Sequence, residues 1–139
     1  MTTPFGYSGK PLAVKLGIKS GLRVALLNAP TTYITSLGML PEGVIVATTL
    51  EGAYDLIHLF VVSRAELEAS YPHLRRSLVQ NGAIWISWPK RRSNMTSDLS
   101  EDVVRAIGLA NHMGDVKVAT VDEIWSALKF VIRLTERKT

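Results

Sequence analysis

At 139 residues with 47% apolar composition, the chain can bury one sizeable core and is too short for two ordinary domains. It has no cysteine, which excludes disulfides, thiolate metal sites and a cysteine nucleophile. A net charge of +4 permits weak attraction to anions but is ordinary at this size, so nucleic acid is disfavoured as a partner.

In chain order, Gly9-Lys-Pro-Leu-Ala-Val-Lys-Leu-Gly17 places proline in a first turn and glycine at a stop, which predicts a short helix. Leu22-Arg-Val-Ala-Leu-Leu-Asn28, bounded by Gly21 and Ala29-Pro30, predicts a strand buried on both faces. Gly43–Thr48 and Tyr54–Val62 predict a second and third strand, all three expected in the sheet interior. Ser63-Arg-Ala-Glu66 is a capping box that opens a helix running to about Gln80, with Asn81-Gly82 as its stop. Ala83-Ile-Trp-Ile-Ser-Trp88 follows as a fourth strand and ends at Pro89, which cannot continue a central ladder. Its alternation puts Trp85 and Ser87 on one face, Ile86 and Trp88 on the other.

A polar, basic connection from Lys90 to Ser97 leads to Asp98, Ser100, Glu101 and Asp102, acids and caps suited to a helix start. Val103, Val104, Ile107, Leu109 and Ala110 mark the apolar face of that helix. Asp115–Val121 and Trp125–Arg133 predict the last two strands, and the few residues between them require an antiparallel hairpin. The pattern describes a single three-layer α/β domain with about six strands, parallel until the last. No run of eighteen or more uncharged apolar residues occurs, and MTTPFGYSGK lacks a secretory pattern, so a cytoplasmic location without membrane contact is expected.

Two segments resemble class I methyltransferase-like Rossmann folds. Tyr54-Asp55-Leu-Ile is similar to that family's Phe-Asp-x-Val strand opening, and Ser77-Leu-Val-Gln-Asn-Gly82-Ala-Ile-Trp-Ile to its leucine-rich helix end and Gly-Gly-x-Leu strand. More specifically, Gly6-Tyr-Ser-Gly9, Pro11-Leu-Ala-Val-Lys-Leu-Gly17, Leu26-Leu-Asn-Ala-Pro30, Trp85-Ile-Ser-Trp-Pro-Lys90, Leu99-Ser-Glu-Asp-Val-Val-Arg105 and Val121-Asp-Glu-Ile-Trp125 resemble an uncharacterised bacterial family, the domain-of-unknown-function 3052 family. The likeness runs from Gly6 to about Arg133, departing at Lys10, where threonine is expected, and Ala127, where glycine is. It implies a methyltransferase-related fold without an assigned activity.

A methyltransferase cofactor would need a glycine-rich turn after the first strand, so that backbone can approach the ligand. Here that turn is Asn28-Ala-Pro-Thr-Thr-Tyr33, without glycine and with Pro30 removing an amide. Glu51, after the second strand, is a poorly placed candidate for ribose hydroxyls. No catalytic residue, cofactor or metal is therefore expected, and the main reading is a non-catalytic binding or interaction module on a degenerate methyltransferase-like fold. S-adenosylmethionine-dependent methyl transfer is the alternative, and weak anion or nucleic-acid binding a further one. Trp88-Pro-Lys-Arg-Arg92 is the sharpest constellation, since guanidinium forks and an ammonium beside an aromatic face could hold a phosphate or carboxylate. The candidate ligand site is Asn28, Ser63, Trp88, Lys90, Arg91 and Arg92, with an anionic small molecule or a protein as partner. Gly6-Tyr-Ser-Gly9 with Lys10 is either a flap or a dock for the first helix. His58 reads as a neutral core histidine, His112 as a helix-end residue, and Asp122-Glu123 as turn formers.

Overall fold

The computed structural model describes residues 11–137. Helix α1 (Leu12–Leu16) ends at Gly17, whose φ of 83° is the left-handed conformation that glycine adopts without strain. Trp85 Nε1 donates to the Leu16 carbonyl at 2.8 Å, so a buried indole satisfies one orphan acceptor of this helix end. The Gly6–Lys10 segment, read as a flap or a dock, lies outside the described residues.

Six strands follow: β1 (Arg23–Leu27), β2 (Ile45–Ala47), β3 (Tyr54–Phe60), β4 (Leu78–Pro89), β5 (Met113–Thr120) and β6 (Trp125–Ile132). Their order across the sheet is β2-β1-β3-β4-β6-β5. The first four strands are mutually parallel, and β6 runs antiparallel to both β4 and β5. The closing hairpin is thus as expected, with its second strand inserted next to β4. Helices α1 and α2 (Thr31–Leu37) cover one face through Leu12, Leu16, Tyr33 and Leu37. Helices α3 (Arg64–Arg76) and α4 (Glu101–Ala110) cover the other through Leu67, Tyr71, Leu74, Val104 and Ile107. The result is the three-layer α/β arrangement anticipated.

Four expectations are corrected. The second strand is an edge, with Ile45 61% and Val46 41% exposed, because β2 has only three residues and pairs with β1 alone. Helix α2 was absent from the sequence reading; its β-branched composition is weakly helical, and it forms because Tyr33 and Leu37, four residues apart, bury together. Helix α3 stops at Arg76, and Leu78–Gly82 already belong to β4. The register jumps from Tyr54↔Leu78 to Leu56↔Ala83, and a Cβ on Gly82 would lie 2.7 Å from the Asp55 carbonyl oxygen. Gly82 therefore marks a close backbone approach in an irregular strand instead of a helix stop. On α4, Leu109 and Ala110 face outward while Gly108 is buried against Phe130.

Candidate functional site

The carboxyl end of β4 builds the site. Trp88 belongs to the core with only 5% exposure, which fixes the strand end and corrects the idea that its ring offers a free stacking face. The Lys90 amide donates to the Ile124 carbonyl at 2.7 Å, so the β5–β6 turn is latched to the point where the chain leaves the sheet. The connection from residue 90 to 100 is then stitched down by its own side chains. Ser97 Oγ donates to the Val62 carbonyl at 2.7 Å, and Asp98 Oδ1 accepts from the Arg64 amide at 2.7 Å. Ser100 caps α4, its Oγ accepting from the Val103 amide, with Glu101 and Asp102 in the first turn as the helix dipole favours.

Between this connection, the start of α4 and the β5–β6 turn lies an open cleft of about 1070 Å³. Trp88, Pro89, Lys90, Arg91 and Arg92 line it together with Ser93, Asn94, Ser100, Thr120 and Ser126. Glu101 and Glu123 also line it, but Glu101 is already paired to Arg105 at 2.6 Å. None of Lys90, Arg91 and Arg92 has an acidic partner within 4.0 Å among the described residues. The cleft therefore presents three cations without a direct acidic partner, one carboxylate at Glu123 and several neutral hydrogen-bonding groups, a net-positive lining with the donors an anion needs.

Four of the six expected site residues come together here: Trp88, Lys90, Arg91 and Arg92. Asn28 and Ser63 do not line the cleft. Asn28 follows β1 directly, with a φ of 57°, and donates from Nδ2 to the Phe60 carbonyl at 3.4 Å. Ser63 caps α3, its Oγ occupied by the Glu66 amide at 3.2 Å. Sequence reasoning missed Thr120, Glu123 and Ser126, since only the insertion of β6 beside β4 brings the hairpin turn to Lys90. Asp122 is a turn former as expected, its Oδ1 accepting from the Ile124 and Trp125 amides at 2.8 Å.

Glu51 sits at the opposite end of the sheet. Its carbonyl accepts from the Arg23 guanidinium and its amide donates to the Tyr54 hydroxyl, both residues that begin strands. With β2 so short, the chain turns back before it reaches the carboxyl edge. Asn28 does supply the positive φ that glycine would give the turn after β1, but with a side chain present and Pro30 lacking an amide. The residues at this edge do not fit an S-adenosylmethionine cradle.

His58 is fully buried, with Nδ1 2.8 Å from the Tyr33 hydroxyl and Nε2 2.6 Å from Ser87 Oγ. Burial pushes its imidazole down to about 3, so it is neutral at pH 7, as the sequence reading had it. A serine beside a histidine suggests a nucleophile pair, yet Ser87 and Tyr33 are as inaccessible as His58 and no substrate atom can reach them. No group of three or more His, Asp or Glu that could hold a metal occurs among the described residues. No helix there is long and apolar enough to cross a membrane.

No protein-family profile and no curated protein matches the sequence. Solved structures do match in three dimensions. An S-adenosylmethionine-dependent methyltransferase from Aquifex aeolicus superposes with a TM-score of 0.63 at 14% identity, over 88% of both chains. The fold is methyltransferase-like. Magnesium protoporphyrin IX methyltransferase from Synechocystis PCC 6803, with S-adenosylhomocysteine bound, gives 0.56 at 12% identity, over 88% of this chain and 78% of that one. A protein of Bordetella parapertussis described as possibly exported gives 0.63 at 12% identity, over 85% and 64%. At such identities the shared property is this Rossmann-like, methyltransferase-like architecture.

Proposed function

We propose that this chain is a binding module on a methyltransferase-like fold, taking an anionic small molecule in the cleft at the carboxyl end of β4. The observation that carries the reading is the convergence of Lys90, Arg91 and Arg92, none in an ion pair among the described residues, on a cleft whose lining includes Ser93, Ser100, Thr120 and Ser126 and whose two carboxylates are Glu101, paired to Arg105, and Glu123. The guanidinium groups would clamp a carboxylate or phosphate bidentately, Lys90 would add a point charge, and the hydroxyls would orient the remainder. The ordered segments given above support membership of the domain-of-unknown-function 3052 family.

A second reading, S-adenosylmethionine-dependent methyl transfer, draws its support from the solved structures, two of which are named methyltransferases and one of which binds S-adenosylhomocysteine. Against it stand the glycine-free turn at Asn28 and the position of Glu51. Calorimetric titration with S-adenosylmethionine, S-adenosylhomocysteine and citrate at low salt separates the two. The first reading expects citrate to bind and the Lys90→Ala, Arg91→Ala double variant to weaken it at least tenfold, with no heat from either sulfur compound. Micromolar S-adenosylmethionine binding that survives the double variant would replace the first reading with the second.

A further inference from the structure

One row of side chains across the sheet ends in two lysines. Leu26, His58, Trp85, Lys129 and Lys117 are successive cross-strand partners on β1, β3, β4, β6 and β5. Lys117 and Lys129 thus stand directly opposite each other on the face covered by α1, an arrangement that repels where an ion pair would attract. Lys15 approaches from α1, its Nζ donating to the Thr120 carbonyl at 2.7 Å. Lys129 Nζ lies 5.9 Å from the centre of the Trp85 ring, and a Cβ on Gly17 would be 3.8 Å from it. Two of the three ammonium groups are therefore held in place, one by a carbonyl and one over an indole.

Among the described residues no carboxylate pairs with them. None of Lys15, Lys117 and Lys129 has an acidic partner within 4.0 Å among the described residues, and residues 1–10 and 138–139 contain no Asp or Glu. Lys15 is held below the ordinary lysine value, first by burial and then by the charges of Lys117 and Lys90. Lys129 is lowered in the same way, by burial and then by Lys117 and Lys19. Solvation alone gives no reason to cluster like charges against a half-buried surface, whereas a multiply charged ligand between them would turn mutual repulsion into shared attraction.

We propose that Lys15, Lys117 and Lys129 form a phosphate-binding site on the α1 side of the β5–β6 hairpin, beside the cleft but outside its lining. None of the three lines the cleft, although Lys15 is bonded to the carbonyl of Thr120 and feels the charge of Lys90, which both line it; the two sites are neighbours, and Arg91→Ala, which touches the cleft alone, tells them apart. The test is calorimetric titration and thermal unfolding of the full chain with inorganic pyrophosphate and, separately, a mixed-sequence single-stranded oligonucleotide. Lys117→Glu converts a like pair into a cross-strand ion pair, so it is expected to raise the ligand-free Tm while weakening binding at least tenfold. Lys129→Met keeps an unbranched stem over Trp85 and is expected to lose binding similarly. Pyrophosphate binding lost in both variants identifies a compact phosphate ligand. Binding confined to the oligonucleotide, lost in both variants and falling steeply with salt, identifies a nucleic-acid backbone as the phosphate source. Absence of binding to both probes overturns the proposal, as does binding that both variants keep and Arg91→Ala abolishes.

Discussion

Both ring nitrogens of His58 are engaged by hydroxyls arriving from different elements, Tyr33 on α2 and Ser87 on β4, while Phe60 stacks on the ring at 4.3 Å between centroids. A protonated imidazole would lose its solvation in this site, which is why burial holds it down to about 3. The unfolded chain takes the same proton near the ordinary value of 6.5. Falling pH therefore protonates the unfolded state first. Stability complete above pH 6.5 is lost progressively toward pH 3, by on the order of 5 kcal/mol over the whole window. Urea unfolding at pH 7 and pH 4.5 is expected to show this loss in the parent and a much smaller one in His58→Gln. An equal loss in both would assign acid sensitivity to other groups. His58 was legible in sequence as a core residue because apolar neighbours surround it; its partners were not, because Tyr33 lies 25 positions away on a helix the composition hides.

At the level of elements, α4 and β6 meet through a glycine. Gly108 lies so close to the Phe130 ring that any Cβ there would clash, and Phe130 is itself held edge-on to Tyr71 at 5.7 Å between centroids. Alanine favours a helix over glycine by about 1 kcal/mol. Gly108→Ala is nonetheless expected to destabilise by about 1–3 kcal/mol net, since overpacking against a fully buried ring outweighs propensity. A denaturant midpoint that rises would show that α4 can shift off β6 without cost. The same contrast explains which element bounds were readable. Ser63 and Ser100 cap the two long helices as their side-chain chemistry predicts, because a cap depends on residues three apart. Gly82 and Gly108 serve contacts with Asp55 and Phe130, remote in sequence, and a single glycine does not reveal which partner it makes room for.

Across the whole molecule, the parallel strands and the final hairpin were legible because buried runs and a short loop constrain them, whereas the order β4-β6-β5 was not. That order decides the candidate site: Lys90, Arg91 and Arg92 were found from sequence, while the hydroxyls facing them come from a turn that only the assembled sheet brings near. Asp98 shows the same dependence in reverse. It accepts from the Arg64 amide across 34 positions, so part of the cap of α3 is supplied by the far side of β4. Helix α3 can begin with Ser63 alone, but this second cap exists only after β4 and the connection to α4 have docked. Its 34-residue separation predicts that the bond forms on the downhill side of the folding barrier. Asp98→Ala is expected to cost about 1 kcal/mol, to speed unfolding about fivefold and to leave the refolding rate nearly unchanged in stopped-flow experiments. A slowed refolding arm would place the docking of the basic connection before the barrier. A bond formed late predicts that the wall of the cleft is among the first parts of the molecule to let go when it unfolds and among the last to close when it folds.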